Sequence, residues 1–202
     1  MDARDMFLQQ HSVVHSAAVG GNKASAAERT LTGLTDDQMR VRPREDLNSI
    51  AWLVWHIARG EDIMVNRVLG GRSQVFDDAW LKRLGITRRD FGIGMSSAEV
   101  SDLTRQIDIG ALRDYRDAVG LRTREVVGAF KPTDWEGEIV APAMEQAAAE
   151  GAFAANRAEG VVKAFTGRPR AMVLSGIALF HSSGHLGEAV TVRGAGGFGT
   201  GV

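Results

Sequence analysis

From residue 4 to residue 34 the chain returns a mostly apolar or small side chain every three or four positions. Met6, Gln10, Val13, Ala17, Gly20, Ala24, Ala27, Leu31 and Leu34 step by fours and threes, the spacing of one helix face. The same period recurs in SIAWLVWHIARGEDIMVNRVL (49–69), over 110–130, through an alanine-rich stretch at 143–165, and from about 170 to 193. Period-two alternation, the mark of a half-buried strand, is almost absent. EIV at 138–140 is strand-like but has no visible partner. A chain patterned in this way buries its apolar stripes helix against helix. The expected fold is therefore all-α, an up-down-type four-helix bundle.

Punctuation sets the boundaries. Gly20-Gly21 is a candidate break in the first helix, Asn48 or Ser49 a candidate N-cap for the second, and Gly70-Gly71 its stop. Residues 72–109 form a crossover connection with extra short helices, one near Asp77–Leu84 and one opened by SSAEVSDL, which has a capped start. Residues 131–142 read as a loop. The glycine-rich end, GAGGFGTG, follows no strand and precedes no helix, so it is a frayed tail and not a phosphate loop. The expected organisation is one domain over 1–194 and a tail over 195–202.

A net charge of −1 gives no electrostatic case for nucleic acid or for an anionic membrane. The apolar run near 171–180 falls far short of the ~20 residues that cross a bilayer. With a polar N-terminus and no signal-peptide pattern, the expected location is cytoplasmic. The chain has no cysteine. That excludes disulfides, thiolate metal ligands and a cysteine nucleophile, so any sulfur chemistry needs an external thiol.

The last helix poses the functional question. Leu174, Ala178, His181, His185, Glu188 and Val192 form one seam, apolar at its ends and His-His-Glu in its middle. Side chains three and four apart lie about 5–6 Å from one another. A buried polar group without a partner costs roughly 1–3 kcal/mol, and a metal ion is one common partner for all three. His56 lies about 60° from Leu53 on its helix, at the edge of the core-facing stripe, where it can meet the pair. Histidines that hydrogen-bond one another and Glu188 are the competing reading. His11 and His15 form a second pair four apart, but roughly 160° from the seam through Val13, hence on the outer face of an unbroken first helix. Glu61 and Asp62 read as solvated, and Trp52 and Trp55 as either pocket lining or core.

NSIAWLVWHIARGED, followed over a hundred residues later by HSSGHLGEAVTVRG, resembles the DinB/YfiT-like superfamily of metal-binding four-helix bundles. The resemblance implies a divalent transition metal (zinc, nickel or iron) on His56, His181 and His185, with Glu188 at the polar position after the pair. It also implies relatives that use mycothiol or bacillithiol as S-transferases, and a branch that isomerises maleylpyruvate. The expected function is thus a metal- and thiol-dependent transferase or isomerase acting on a small electrophilic substrate. Glu188 would orient a ligand ring or accept a proton, and Arg193 would hold a carboxylate. The alternative is a non-enzymatic metal-binding or stress-associated bundle. Exposed helix faces leave room for a homodimer.

Overall fold

A computed structural model describes residues 2–199 and 201. Four helices form the bundle. They are α1 (Ala3–Val14), α2 (Ile50–Glu61, running on as a π-helical stretch, Asp62–Leu69), α3 (Ile109–Gly128) and α4 (Arg170–Ser175, a π-helical stretch Gly176–His181, then Ser182–Ala195). No β-strand occurs among the described residues, only an isolated antiparallel bridge between Glu138 and Pro169. α1 packs against α3 and α4, and α2 packs against the same two helices. Among the described residues no helix is long and apolar enough to cross a membrane.

Side chains at the helix starts satisfy backbone N–H groups that have no partner within the helix. Asp2, Ser49 and Asp108 cap α1, α2 and α3. The crossover holds the two expected short helices, Asp78–Leu84 and Ser97–Gln106, the second opened by a full capping box between Ser96 and Glu99.

α2 is buried on every side, from Ile50 to Leu69. Glu61 and Asp62, expected in solvent, are completely buried. Asp62 shows how the fold accommodates a charge there. Its Oδ1 accepts from the Val75 N–H (2.9 Å) and Asn66 Nδ2 (3.2 Å). Its Oδ2 accepts from the Phe76 N–H (2.9 Å), the Tyr115 hydroxyl (2.8 Å) and Arg59 Nη1 (3.4 Å). The Arg59 guanidinium also reaches Tyr115, Gln74 and the Arg89 carbonyl. This network ties the crossover to α2 and α3.

Several expectations are corrected. The first helix ends at Val14, with His15 extended, and not at Gly20-Gly21; Ala17–Gly20 and Ala26–Leu31 are separate short helices. Its buried face carries Phe7, His11 and Val14, while Met6 and Val13 are each 49% exposed. His11 and His15 are therefore interior residues. The alanine-rich stretch forms two helices, Ala141–Ala149 and Ala158–Phe165, separated by a turn in which Glu150 pairs with Arg67. Residues 137–139 do find a partner, exchanging backbone hydrogen bonds with 167–170. The C-terminal segment is tied down as far as Phe198, whose carbonyl accepts from Arg193 Nε.

Candidate metal centre

α2 and α4 bring His56, His181 and His185 together. Ring centroids lie 4.8 Å apart for His56–His181, 4.9 Å for His56–His185 and 4.6 Å for His181–His185. One ring nitrogen from each lies within 4.8 Å of the others, and His56 Nε2 and His181 Nε2 are 3.0 Å apart. Nitrogens bound at ~2.0–2.1 Å to one tetrahedral ion sit roughly 3.3 Å apart. His56 is buried, whereas His181 and His185 are partly exposed, so one side of the group opens to solvent.

The outer hydrogen bonds decide which nitrogens face inward. His56 Nδ1 meets the Phe91 carbonyl. A carbonyl only accepts, so Nδ1 carries the proton and Nε2 presents its lone pair. His185 Nδ1–H donates to Glu188 Oε2 at 2.8 Å, leaving its Nε2 free as well. Glu188 is held in turn by Asn48 Nδ2, which donates to Oε1 at 3.2 Å. Such outer partners orient metal-binding imidazoles and raise their basicity. His181 Nε2–H donates to the His56 Nε2 lone pair, and its Nδ1 is buried without a partner among the described residues, so Nε2 is offered to a metal only once the proton moves to Nδ1.

Electrostatics keeps His56 and His181 neutral. Burial lowers the His56 pKa to about 4 against the opposing Phe91 hydrogen bond. Burial, with His56 and His185 alongside, lowers His181 to about 3. The hydrogen bond from His185 holds the Glu188 carboxyl below its ordinary value, so it is ionised. At neutral pH, the uncharged imidazoles of His56 and His181 and an anionic outer carboxylate suit a divalent cation.

Phe91 of the crossover, which carries no obvious signal in the sequence, joins Trp52 of α2 in building the floor of the site. Trp52 and Phe91 sandwich His56, with centroids at 4.7 and 5.7 Å and rings within 10° of parallel. Trp52 thus lines the site, while Trp55 is wholly buried behind it. Gly92 makes this possible. Its φ is +89°, and a Cβ there would lie 2.7 Å from Trp55 and 3.2 Å from Trp52. Only glycine meets both conditions. Gly92→Ala is expected to lift the Phe91 carbonyl from His56 and lower metal affinity about 10–100-fold, as read by chelator competition. Unchanged affinity would show that the Phe91 contact is dispensable.

Arg193 is placed elsewhere. Its Nη1 donates to the carbonyls of Thr30 (2.8 Å) and Thr32 (2.9 Å), and its Nε to that of Phe198. The side chain clamps the end of α4 to the segment after α1, with Nε and Nη1 engaged by backbone carbonyls.

A solved structure described as the conserved protein of locus from Enterococcus faecalis shares this fold, with a TM-score of 0.68 at 17% identity, covering 96% of this chain and 97% of that one. No curated protein matches the chain at a significant level. The family model of the DinB superfamily matches residues 23–161, a span that includes His56 and ends before His181. That match extends over more than half of the sequence, and on it the chain belongs to the DinB superfamily.

Proposed function

We propose that this chain is a metal-dependent enzyme that joins an external low-molecular-weight thiol to a small electrophile, or isomerises a small substrate with the thiol's help. The observation that supports this most is the asymmetry of the histidine group. Hydrogen bonds donated to the Phe91 carbonyl and the Glu188 carboxylate fix two of the three rings with Nε2 inward, and the side of His181 and His185 stays partly exposed. A structural ion is normally enclosed by four protein ligands, whereas a catalytic one keeps a position open.

His56, His181 and His185 would hold a divalent ion such as zinc, nickel or iron. When bound, the ion supplies Lewis acidity, which lowers the pKa of a coordinated thiol or water. The chain's own residues provide the rest. Asn48 holds Glu188, Glu188 holds the His185 ring, and the ionised Glu188 carboxylate would accept the proton leaving an incoming thiol. The Trp52, His56 and Phe91 stack excludes water from the buried side. Because the chain has no cysteine, the nucleophilic sulfur must arrive with a cosubstrate such as mycothiol or bacillithiol.

The test is a turnover screen of metal-loaded protein against a panel of electrophiles with mycothiol, bacillithiol and glutathione. Glu188→Gln keeps an amide oxygen that can accept from His185 Nδ1–H but loses the charge. It is expected to retain metal and to lower kcat about 10–100-fold, in the range of general-base effects. Thiol-independent turnover, or full activity in Glu188→Gln, would overturn the mechanism. No turnover with any thiol would leave a non-enzymatic metal-binding bundle as the reading.

A further inference from the structure

A second cluster of metal-ligating residue types lies in the interior, where α1, α2 and α3 meet. His11 Nε2 is 3.0 Å from Glu61 Oε1, His15 Nε2 is 3.8 Å from Glu61 Oε2, and the two imidazole centroids are 4.9 Å apart. All three residues are fully buried and offer donor atoms within 4.8 Å of one another. By residue type this is a two-histidine, one-carboxylate ligand set. The hydrogen bonds and charges around it say otherwise.

The protons sit on the wrong atoms for a metal. The Ser16 backbone N–H donates to His15 Nδ1 at 3.0 Å. Nδ1 is therefore the lone-pair nitrogen, and in a neutral ring the proton sits on Nε2, the atom turned toward Glu61. His11 Nε2 also carries a hydrogen, since the carboxylate it meets can only accept. Both inward nitrogens are N–H groups, the reverse of His56 and His185. The charges are already balanced as well. Arg116 of α3 is buried beside Glu61, and none of its guanidinium nitrogens has a partner among the described residues. Burial would raise the Glu61 pKa, but His11 and Arg116 hold it below its ordinary value, so it is ionised. Glu61 and Arg116 already cancel, and any charge on His11 would add to the positive side. A divalent ion would leave two uncompensated charges in a sealed interior, each costing several kcal/mol.

We propose that His11, His15, Glu61 and Arg116 form a metal-excluding proton site, through which the docking of α1 onto the bundle weakens as the solution is acidified. A proton added to His15 must go to Nδ1, where the Ser16 N–H already points. The ring would then be a further cation among Arg116 and Arg124 of α3, with His11 on its own helix. The one anion facing it, Glu61 of α2, is already engaged by His11. Asp117 of α3 is engaged by the Ser16 hydroxyl. The ring cannot shift away within the docked state, because it fills the space over Gly120, where a Cβ would lie 2.5 Å from Nε2. Burial first, then Arg116, His11 and Arg124, push the His15 pKa well below its ordinary value. Freed from the bundle, His15 titrates near 6.5. Below that pH the undocked form binds one more proton than the docked form, so docking loses free energy as pH falls. The docking constant should drop roughly tenfold between pH 7.5 and 5.5.

The experiment is hydrogen exchange of the full chain at pH 7.5 and 5.5, corrected for intrinsic rates, in wild type and His15→Gln. The expected result is a roughly tenfold rise in the opening of peptides covering α1 in wild type that is absent in His15→Gln, whereas any opening that frees His56 and His181 rises alike in both proteins. No rise in wild type, or the same rise in the variant, would overturn the proposal. Imidazole nitrogen NMR of wild type decides independently, should the variant fail to fold. His15 should show its proton on Nε2 at pH 7.5, and added zinc should shift the signals of His56, His181 and His185 while leaving His11 and His15 unmoved. A second equivalent of zinc taken up by His11 and His15 would refute it.

Discussion

His185→Ala is expected to lower metal affinity by at least ~100-fold, exceeding the effect of losing an outer partner such as Glu188. His185 is partly exposed and stands among rings that remain in place. The metal-free variant should therefore unfold within about 0.5 kcal/mol of metal-free wild type, as ordinary surface substitutions do. The two proteins should separate only when metal is present. An ion at a hundredfold excess over Kd stabilises the native state by about 2.7 kcal/mol, and the variant should forfeit nearly all of it. Elemental analysis of tag-free protein and thermal melts with and without zinc provide the readout. Metal retained at wild-type stoichiometry in His185→Ala would remove this residue from the ligand set.

Asp62→Ala is expected to be the most destabilising single change in the fold, by roughly 3–5 kcal/mol. Five donors lose their acceptor together: two backbone N–H groups, Tyr115, Asn66 and the buried guanidinium of Arg59. The last of these dominates, because an uncompensated buried cation costs more than any neutral donor. Against a total stability of about 5–15 kcal/mol for a typical domain, the loss should be plain in a urea titration as a lower midpoint at unchanged slope. A midpoint within experimental scatter of wild type would mean that water readily replaces the carboxylate.

The period of three and four is enough to establish an all-α bundle and to set the seam of α4, because Ala178, His181, His185 and Glu188 belong to one helix whose phase the apolar residues at its ends define. It is not enough for α1. The series through Met6 and Val13 matches a helix face as well as the true one does, since Phe7, Val14 and the two histidines form an equally regular but more polar stripe. What decides between them is His11 and His15 meeting Glu61, a contact between residues about fifty positions apart that no local window contains. Glu61 and Asp62 mislead for the same reason: a carboxylate in a helix reads as solvated unless its distant partners are known. The outer partners of the histidines are invisible for a different cause. Phe91 acts through its backbone carbonyl, which any residue possesses, and only the adjacent Gly92 carries a sequence signal. Arg193 looks available because its backbone acceptors, Thr30, Thr32 and Phe198, depend on how the chain ends are tied together.

The π-helical stretches in α2 and α4 bear on how such a chain tolerates changes in length. A π turn accommodates one residue more than the α turn it replaces. In α4 this shows as buried pairs five apart, Val173 with Ala178 and Leu174 with Leu179, followed at once by Phe180, which is 76% exposed. Removing one residue there returns the stretch to an ordinary α-helix without rotating the C-terminal half of α4. His181, His185 and Glu188 would keep facing α2, and the apolar residues before the turn would keep facing the core. The helix that carries two of the three histidines thus contains a built-in joint at which the chain can lose a residue while its metal-facing side stays aligned.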